Sequence, residues 1–284
     1  MNPEELGVAP IGAVPPFASE SEIVIRVRKW MESHGVGLEM KVAGAFRKKL
    51  GFGRFMSSVD HSRNYNGLDH SSGTYKTRET DVVVRLTKSL YGNIWITTWL
   101  ILECKSSKDS PWVLFYDSAQ PSVIRSDPLP YLWDLKHLED MFSSSILGAG
   151  QSPLLAGYGV GTCYSVATAK DTDSKGNQKN DARDSVLQVL SAVKGVGEDA
   201  VLSDTHRQLN IFIPIIITSA PISTITLLMD GTYEVGEAGK GLFLGSLDSK
   251  PEIPRGVWIV RESELEMFVD EIIEQIQDLD YRTH

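Results

Sequence analysis

The sequence predicts an α/β protein, a mixed central sheet flanked by helices with an elaborated C-terminal half. Three observations carry that expectation. Thr80–Leu86 and Ile94–Leu102 are strand-length runs of β-branched and aromatic residues, separated by the turn-forming Leu90-Tyr91-Gly92-Asn93. Helical apolar patterns precede and follow them. The 284 residues are 42% hydrophobic and 23% charged, an ordinary globular composition with enough chain to bury a sizeable core.

Taken in order, residues 1–18 carry four prolines and no periodicity, and are expected to form a flexible arm ahead of a single domain spanning 19–284. Ser19-Glu20-Ser21-Glu22 opens a helix in capping style, with Ile23, Val24, Val27, Trp30 and Met31 at helical spacing and Gly35 and Gly37 ending it. A second helix is expected from Leu38 to Leu50. Its apolar face is Leu38, Val42, Ala45, Phe46 and Leu50, and Glu39 falls inside that stripe, where a carboxylate is costly unless paired. Residues 51–79 are polar, with at most a short strand near Phe55–Val59. Of the two clear strands, Ile94–Leu102 is apolar on both faces, as a central strand should be. Beyond it the sequence predicts a helix over Tyr131–Leu147, a strand over Gly157–Ala169, a loop over Lys170–Asn180 and a helix over Ala182–Val193. Strands follow at Asn210–Thr218, Thr224–Met229 and Gly256–Val260, with a closing helix over Ser263–Leu279.

Composition narrows the function classes. The most apolar stretch, Ile211–Met229, is broken by Pro214 and Pro221, so two buried strands fit it better than a continuous span of about 20 residues, and no membrane segment is expected. Two cysteines, Cys104 and Cys163, make neither a disulfide framework nor a zinc site, and the acidic N-terminus does not read as a signal peptide; a cytoplasmic setting is expected. The net charge of −9 is unevenly spread: residues 1–110 carry +3 and residues 111–284 carry −12. The acidic half would not attract phosphate by itself.

The chemistry concentrates on the two strands. Pairing them as a hairpin about Gly92 sets Asp81 directly opposite Glu103, with Cβ atoms roughly 5 Å apart. Carboxylates that close repel unless a cation lies between them, and magnesium sites use one or two carboxylates with water and phosphate completing the shell. Strand alternation turns Lys105 to the same face as Glu103 and Cys104 to the other. A lysine there can orient or deprotonate a water, or offset developing phosphate charge. Asp81, Glu103 and Lys105 therefore read as a site for metal-dependent phosphodiester hydrolysis. Against this stands the plain reading, that charged residues at strand ends are common.

These pieces resemble the PD-(D/E)XK, or restriction endonuclease-like, nuclease superfamily. The resemblance lies in Leu38-Glu39-Met40-Lys41-Val42-Ala43 with Phe46 and Gly51-Phe52, in Arg78-Glu79-Thr80-Asp81-Val82-Val83-Val84, and in Leu102-Glu103-Cys104-Lys105. The order of helix glutamate, strand aspartate and Glu-X-Lys is the superfamily's. It spans roughly residues 19–145, with residues 146–284 matching only as generic α/β. It implies Mg²⁺ or Mn²⁺ held by Asp81, Glu103, the Cys104 backbone carbonyl and Glu39, with Lys105 assisting the water. The implied substrate is DNA, with a protein partner or homo-oligomer supplying further DNA-binding surface, and a role in bacterial antiviral defence. Thr80 stands where the motif has proline, and no Gln-x-x-x-Tyr follows Lys105. The superfamily includes inactive members, so a non-catalytic interaction subunit remains an alternative, as does cleavage of RNA.

Other candidates carry less. Gly148, Gly150, Gly157, Gly159 and Gly161 lack a following Gly-Lys-Ser/Thr. His61 and His70 read as loop residues, Cys104 as core, and Trp95 and Trp99 as packed core or a base-stacking surface. Glu39 has a second reading as a buried carboxylate paired with Arg78 or Arg85. Arg47, Lys48, Lys49, Arg54, Arg63, Lys76 and Arg78 read equally as a phosphate-backbone surface or, for the first three, as a solvated helix end.

Overall fold

A computed structural model of the chain describes residues 21–50, 56–69, 74–89, 95–106, 110–118, 131–133, 162–169, 180–203, 208–245 and 255–278. Helix α1 (Glu22–Ser33) starts at Ser21, whose hydroxyl accepts from the Val24 amide. Its apolar stripe stays outside: no α1 residue is buried, and Ile23, Val27 and Trp30 are at least half exposed. Helix α2 (Val36–Leu50) buries the face the periodicity picks out, Leu38, Val42, Ala45, Phe46 and Leu50, together with Ala43.

Three strands follow as an antiparallel meander: β1 (Met56–Asp69), β2 (Thr74–Ser89) and β3 (Trp95–Lys105). β2 and β3 pair in the expected register, with Val82 opposite Leu102 and Arg85 opposite Trp99. The polar stretch before Thr80 corrects the sequence expectation. It is no loop with a short strand but a long ribbon, β1 and β2 pairing from Met56 with Thr87 to Asp69 with Thr74. Its outer residues, Thr74–Glu79, are exposed and carry no apolar face for periodicity to detect.

The chain adds β4 (Trp112–Asp117), β5 (Tyr131–Trp133), β6 (Thr162–Cys163), β7 (Ser165–Thr168), α3 (Asp181–Ser203), β8 (Gln208–Thr218), β9 (Ile222–Leu227), β10 (Tyr233–Ala238), β11 (Lys240–Gly245), β12 (Arg255–Arg261), a 3₁₀ turn (Glu262–Glu264) and α4 (Leu265–Asp278). The main sheet runs β1-β2-β3-β8-β12-β11-β6, with β5 pairing on β8. β8 lies parallel to β3 along its whole length, reached through α3. A second sheet runs β10-β9-β4-β7. Strands from both halves of the chain thus share one sheet. Two expectations are corrected. Tyr131 begins a strand, the rest of the helix placed at Tyr131–Leu147 lying outside the described residues, and α3 continues past Val193 to Ser203. The glycine-rich stretch to Gly161, His70, Arg54, the loop over 170–179 and the arm's boundary also lie outside them.

Two cores flank the main sheet. On one face, Leu100, Leu102 and Cys104 pack with α2 and α4; on the other, Trp99 and Ile101 pack with α3 and the second sheet. β3 is therefore buried on both sides, as its composition requires. Ile211–Met229 forms β8 and β9, and among the described residues no helix is long and apolar enough to cross a membrane. Cys104 and Cys163 are free thiols, one in each core.

Candidate active site

Past the Val82–Leu102 pair the ladder between β2 and β3 stops, and the site begins there. Asp81 accepts a hydrogen bond from the Cys104 amide at 2.6 Å, which draws its carboxylate against the β3 backbone. Thr80, just before Asp81, is buried and donates its hydroxyl to the Leu102 carbonyl at 3.2 Å. The Lys105 carbonyl accepts from Ser219, just past β8. Backbone groups alternate sides along a strand, so the Cys104 carbonyl points the other way, toward β2 and Asp81.

Glu103 is 1% exposed. Its Oε1 accepts from Lys105 Nζ at 2.6 Å, while Oε2 has no partner among the described residues. Lys105 also donates to Gln188 Oε1 on α3 at 3.1 Å. Burial, with Asp81 adding to it and Lys105 opposing, pushes the Glu103 carboxyl up to about 7. Burial likewise raises Asp81, against the pull of the Cys104 amide and Lys105. Glu39 is raised by burial and by the nearby Asp81 charge. The three carboxylates thus feel one another.

Glu39 does not pair with Arg78 or Arg85. Its Oε2 lies 3.1 Å from His61 Nε2, so His61 is no loop residue: it sits on β1 and engages the helix carboxylate. By alternation His61 and Tyr65 should share a face. Instead His61 meets α2 while Tyr65 packs in the α3 core. Ser62 lies between them with φ 59°, the one positive-φ residue other than glycine among those described. It stands opposite Asp81, where the β1–β2 ladder skips a pair. A left-handed serine costs on the order of 1–2 kcal/mol, and here it marks where β1 exchanges faces.

Two residues at the site are not among those expected from sequence. Gln188 was legible only as one polar position of an amphipathic helix. Tyr65 stood in a polar run, Asn64-Tyr65-Asn66-Gly67, with no strand signal around it. Its hydroxyl is buried without a partner among the described residues, and burial, then the Glu103 charge, pushes it up to about 12.

The aromatic and basic candidates resolve structurally. Trp99 is 4% exposed, donates Nε1 to Asn210 at 2.8 Å, and lies under the Arg63 and Arg85 guanidinium groups at 5.3 and 5.7 Å, so it is no open surface for a base. Lys48 and Lys49 pair with Glu266 and Asp270 of α4, and Lys41 with Glu262. Arg47 donates to the Val59 carbonyl.

Among the described residues, no three His, Cys, Asp or Glu side chains converge as a complete metal-holding group. A site of two carboxylates and a backbone carbonyl fits magnesium without a third side chain. The orphaned Oε2 of Glu103 and the mutual repulsion of Glu103 and Asp81 are what a cation between them would relieve. Comparison with family models, with curated proteins and with solved structures finds no match for this chain.

Proposed function

We propose that this protein is a metal-dependent nuclease that hydrolyses DNA phosphodiester bonds at Asp81, Glu103 and Lys105, on a restriction endonuclease-like fold. The observation that carries the reading is the buried Glu103. Its carboxylate is shared with Lys105, feels the charge of Asp81, and keeps one oxygen without a partner among the described residues. A purely structural carboxylate in a core would have both oxygens satisfied or would be replaced by an apolar residue. The order of elements also supports the fold: a helix bearing Glu39, a meander bearing Asp81 and Glu-X-Lys, then a helix leading to a parallel strand.

In this reading Asp81, Glu103 and the Cys104 carbonyl would hold Mg²⁺ or Mn²⁺. When bound, the ion supplies charge opposite a phosphoryl oxygen and a water acidic enough to act near neutral pH. Lys105 holds Glu103 in place and offers its one remaining ammonium proton to the developing phosphate charge. Gln188 fixes the lysine from α3. Glu39, tied to His61, adds negative potential from the helix side. The acidic α4 neutralises lysines on α2, which limits the DNA surface of one chain and favours a partner or second copy supplying more. A role in bacterial antiviral defence stays part of this proposal.

The test compares wild type with Lys105→Ala on plasmid DNA and on RNA, with Mg²⁺, Mn²⁺ or EDTA. The expected result is metal-dependent DNA cleavage reduced by about a hundredfold or more in the variant. Equal cleavage by both proteins, or cleavage that survives EDTA, would overturn the assignment; cleavage of RNA alone would change the substrate.

A further inference from the structure

Beyond Val82 the β1–β2 ribbon leaves β3 behind. From the Arg63–Thr80 pair to the Asp69–Thr74 pair no third strand joins it among the described residues. A two-stranded ribbon is marginal in water unless something else holds it. Yet Thr74–Glu79 stays paired and is exposed throughout, about 20 Å of strand at the usual rise per residue.

The ribbon is held from one side. Tyr65 packs in the α3 core, and a Cβ on Gly195 would meet its ring at 2.4 Å and the Asn66 carbonyl at 2.8 Å. Directly opposed residues share a face, so Arg78 and Lys76, across from Tyr65 and Gly67, lie on this supported side. A Cβ on Gly67 would meet Arg78 Cδ at 3.0 Å, so the glycine leaves the space in which the arginine stem lies. Asn64 and Asn66, with Glu79 and Thr77 opposite and Tyr75 next in the alternation, make the other face. All five are exposed, Tyr75 by 63%. One side of the ribbon is thus cationic, in a chain of net charge −9, and the other carries amides, a hydroxyl and an aromatic ring.

We propose that this ribbon is a DNA-reading element that lies in the major groove of a B-form duplex, with Asn64, Asn66, Tyr75 and Thr77 turned to base edges and Lys76 and Arg78 to phosphates. That groove, about 12 Å wide and about 8.5 Å deep, admits a two-stranded ribbon. Carboxamides pair with adenine through two hydrogen bonds, hydroxyls serve as donor or acceptor, and cations fix the backbone. Glu79, the one carboxylate on the open face, is an acceptor for cytosine N4. Asp81 follows Glu79 by two residues, so the ribbon leads directly into the candidate site. The deep, narrow major groove of A-form RNA excludes side chains, which makes DNA the occupant. This rests on the nuclease reading above and adds to it the groove and the residues that read it.

The test is fluorescence anisotropy in EDTA with a labelled DNA duplex of mixed sequence, over a salt series, followed by plasmid cleavage in Mg²⁺. Wild type is compared with Lys76→Ala/Arg78→Ala and with Asn66→Ala/Tyr75→Ala. The cation variant is expected to bind about tenfold more weakly and to flatten the slope of log affinity against log salt by about 2. The polar variant is expected to bind more weakly with its slope unchanged. Lys76→Glu serves in place of the cation variant if emptying the space over Gly67 lowers its melting temperature, and it too is expected to weaken binding about tenfold. Unchanged affinity and slope in all these variants would overturn the proposal, as would wild type binding an RNA duplex equally well or binding no duplex. Plasmid cleavage that is lost in Lys105→Ala but undiminished in the ribbon variants would overturn the ribbon alone. DNA binding that needs the ribbon, without metal-dependent cleavage, would support the ribbon and overturn the nuclease reading.

Discussion

The two ends of β3 bury polar groups under opposite rules. Near its start, Trp99 donates to Asn210 and Thr97 shares a hydrogen bond with Thr87 on the neighbouring strand at 3.0 Å. Two guanidinium groups cover the indole, and among the described residues no buried side-chain polar atom on this stretch of β3 lacks a partner. At the other end, Glu103 is as deeply buried, yet its Oε2 has no partner among the described residues. One strand in one sheet does not owe this contrast to local packing quality. The satisfied end holds the sheet together; the unsatisfied end is where we propose that a cation binds.

Breaking each end should therefore have opposite signs. Asn210→Ala would strand the Trp99 N–H in the core and is expected to cost about 2–4 kcal/mol, from the unpaired donor and the space left behind. Glu103→Gln in EDTA at pH 8 removes a buried charge facing Asp81 and is expected to stabilise by about 1–3 kcal/mol. Urea denaturation of both variants beside wild type checks the pair. Destabilisation by both would erase the contrast.

The hairpin was readable because its strands are rich in β-branched residues and its turn is marked, and that register set Asp81 against Glu103. The ribbon before it was not. Its residues are polar, it lies beyond the cover of β3, and a two-stranded ribbon needs no alternation to form. Tyr65 was lost with it. The helix expected over Ala182–Val193 continues through Gly195 and Gly197 to Ser203, and Gly195 makes room for Tyr65. Gln188 reaches Lys105 from 83 residues away, a proximity no local pattern encodes. β4, β10 and β11 were not read as strands; β10 is exposed along nearly its whole length and shows no apolar alternation.

A pH series sharpens the comparison next. Glu103 has a carboxyl raised to about 7 in the fold from an ordinary 4.5, so the folded protein holds more protons than the unfolded chain between those values. Its contribution is present below about 4.5 and is lost as pH rises toward 7, at most about 3 kcal/mol. Asp81 and Glu39, also raised, act with the same sign. Wild type in EDTA is thus expected to lose stability relative to Glu103→Gln between pH 5 and pH 8, as measured by denaturant midpoints. Mg²⁺ affinity should rise over the same interval, because binding needs the carboxylate ionised. The smallest effect is expected away from both ends: Lys49→Ala breaks an exposed pair with Asp270 and should change stability by less than about 1 kcal/mol.

The measurement that bears most directly on the site is calorimetric titration of Mg²⁺ into wild type and Asp81→Asn at pH 8, without DNA. The account predicts a saturable isotherm for wild type and its loss in the variant. No binding by wild type, or equal binding by Asp81→Asn, would contradict it.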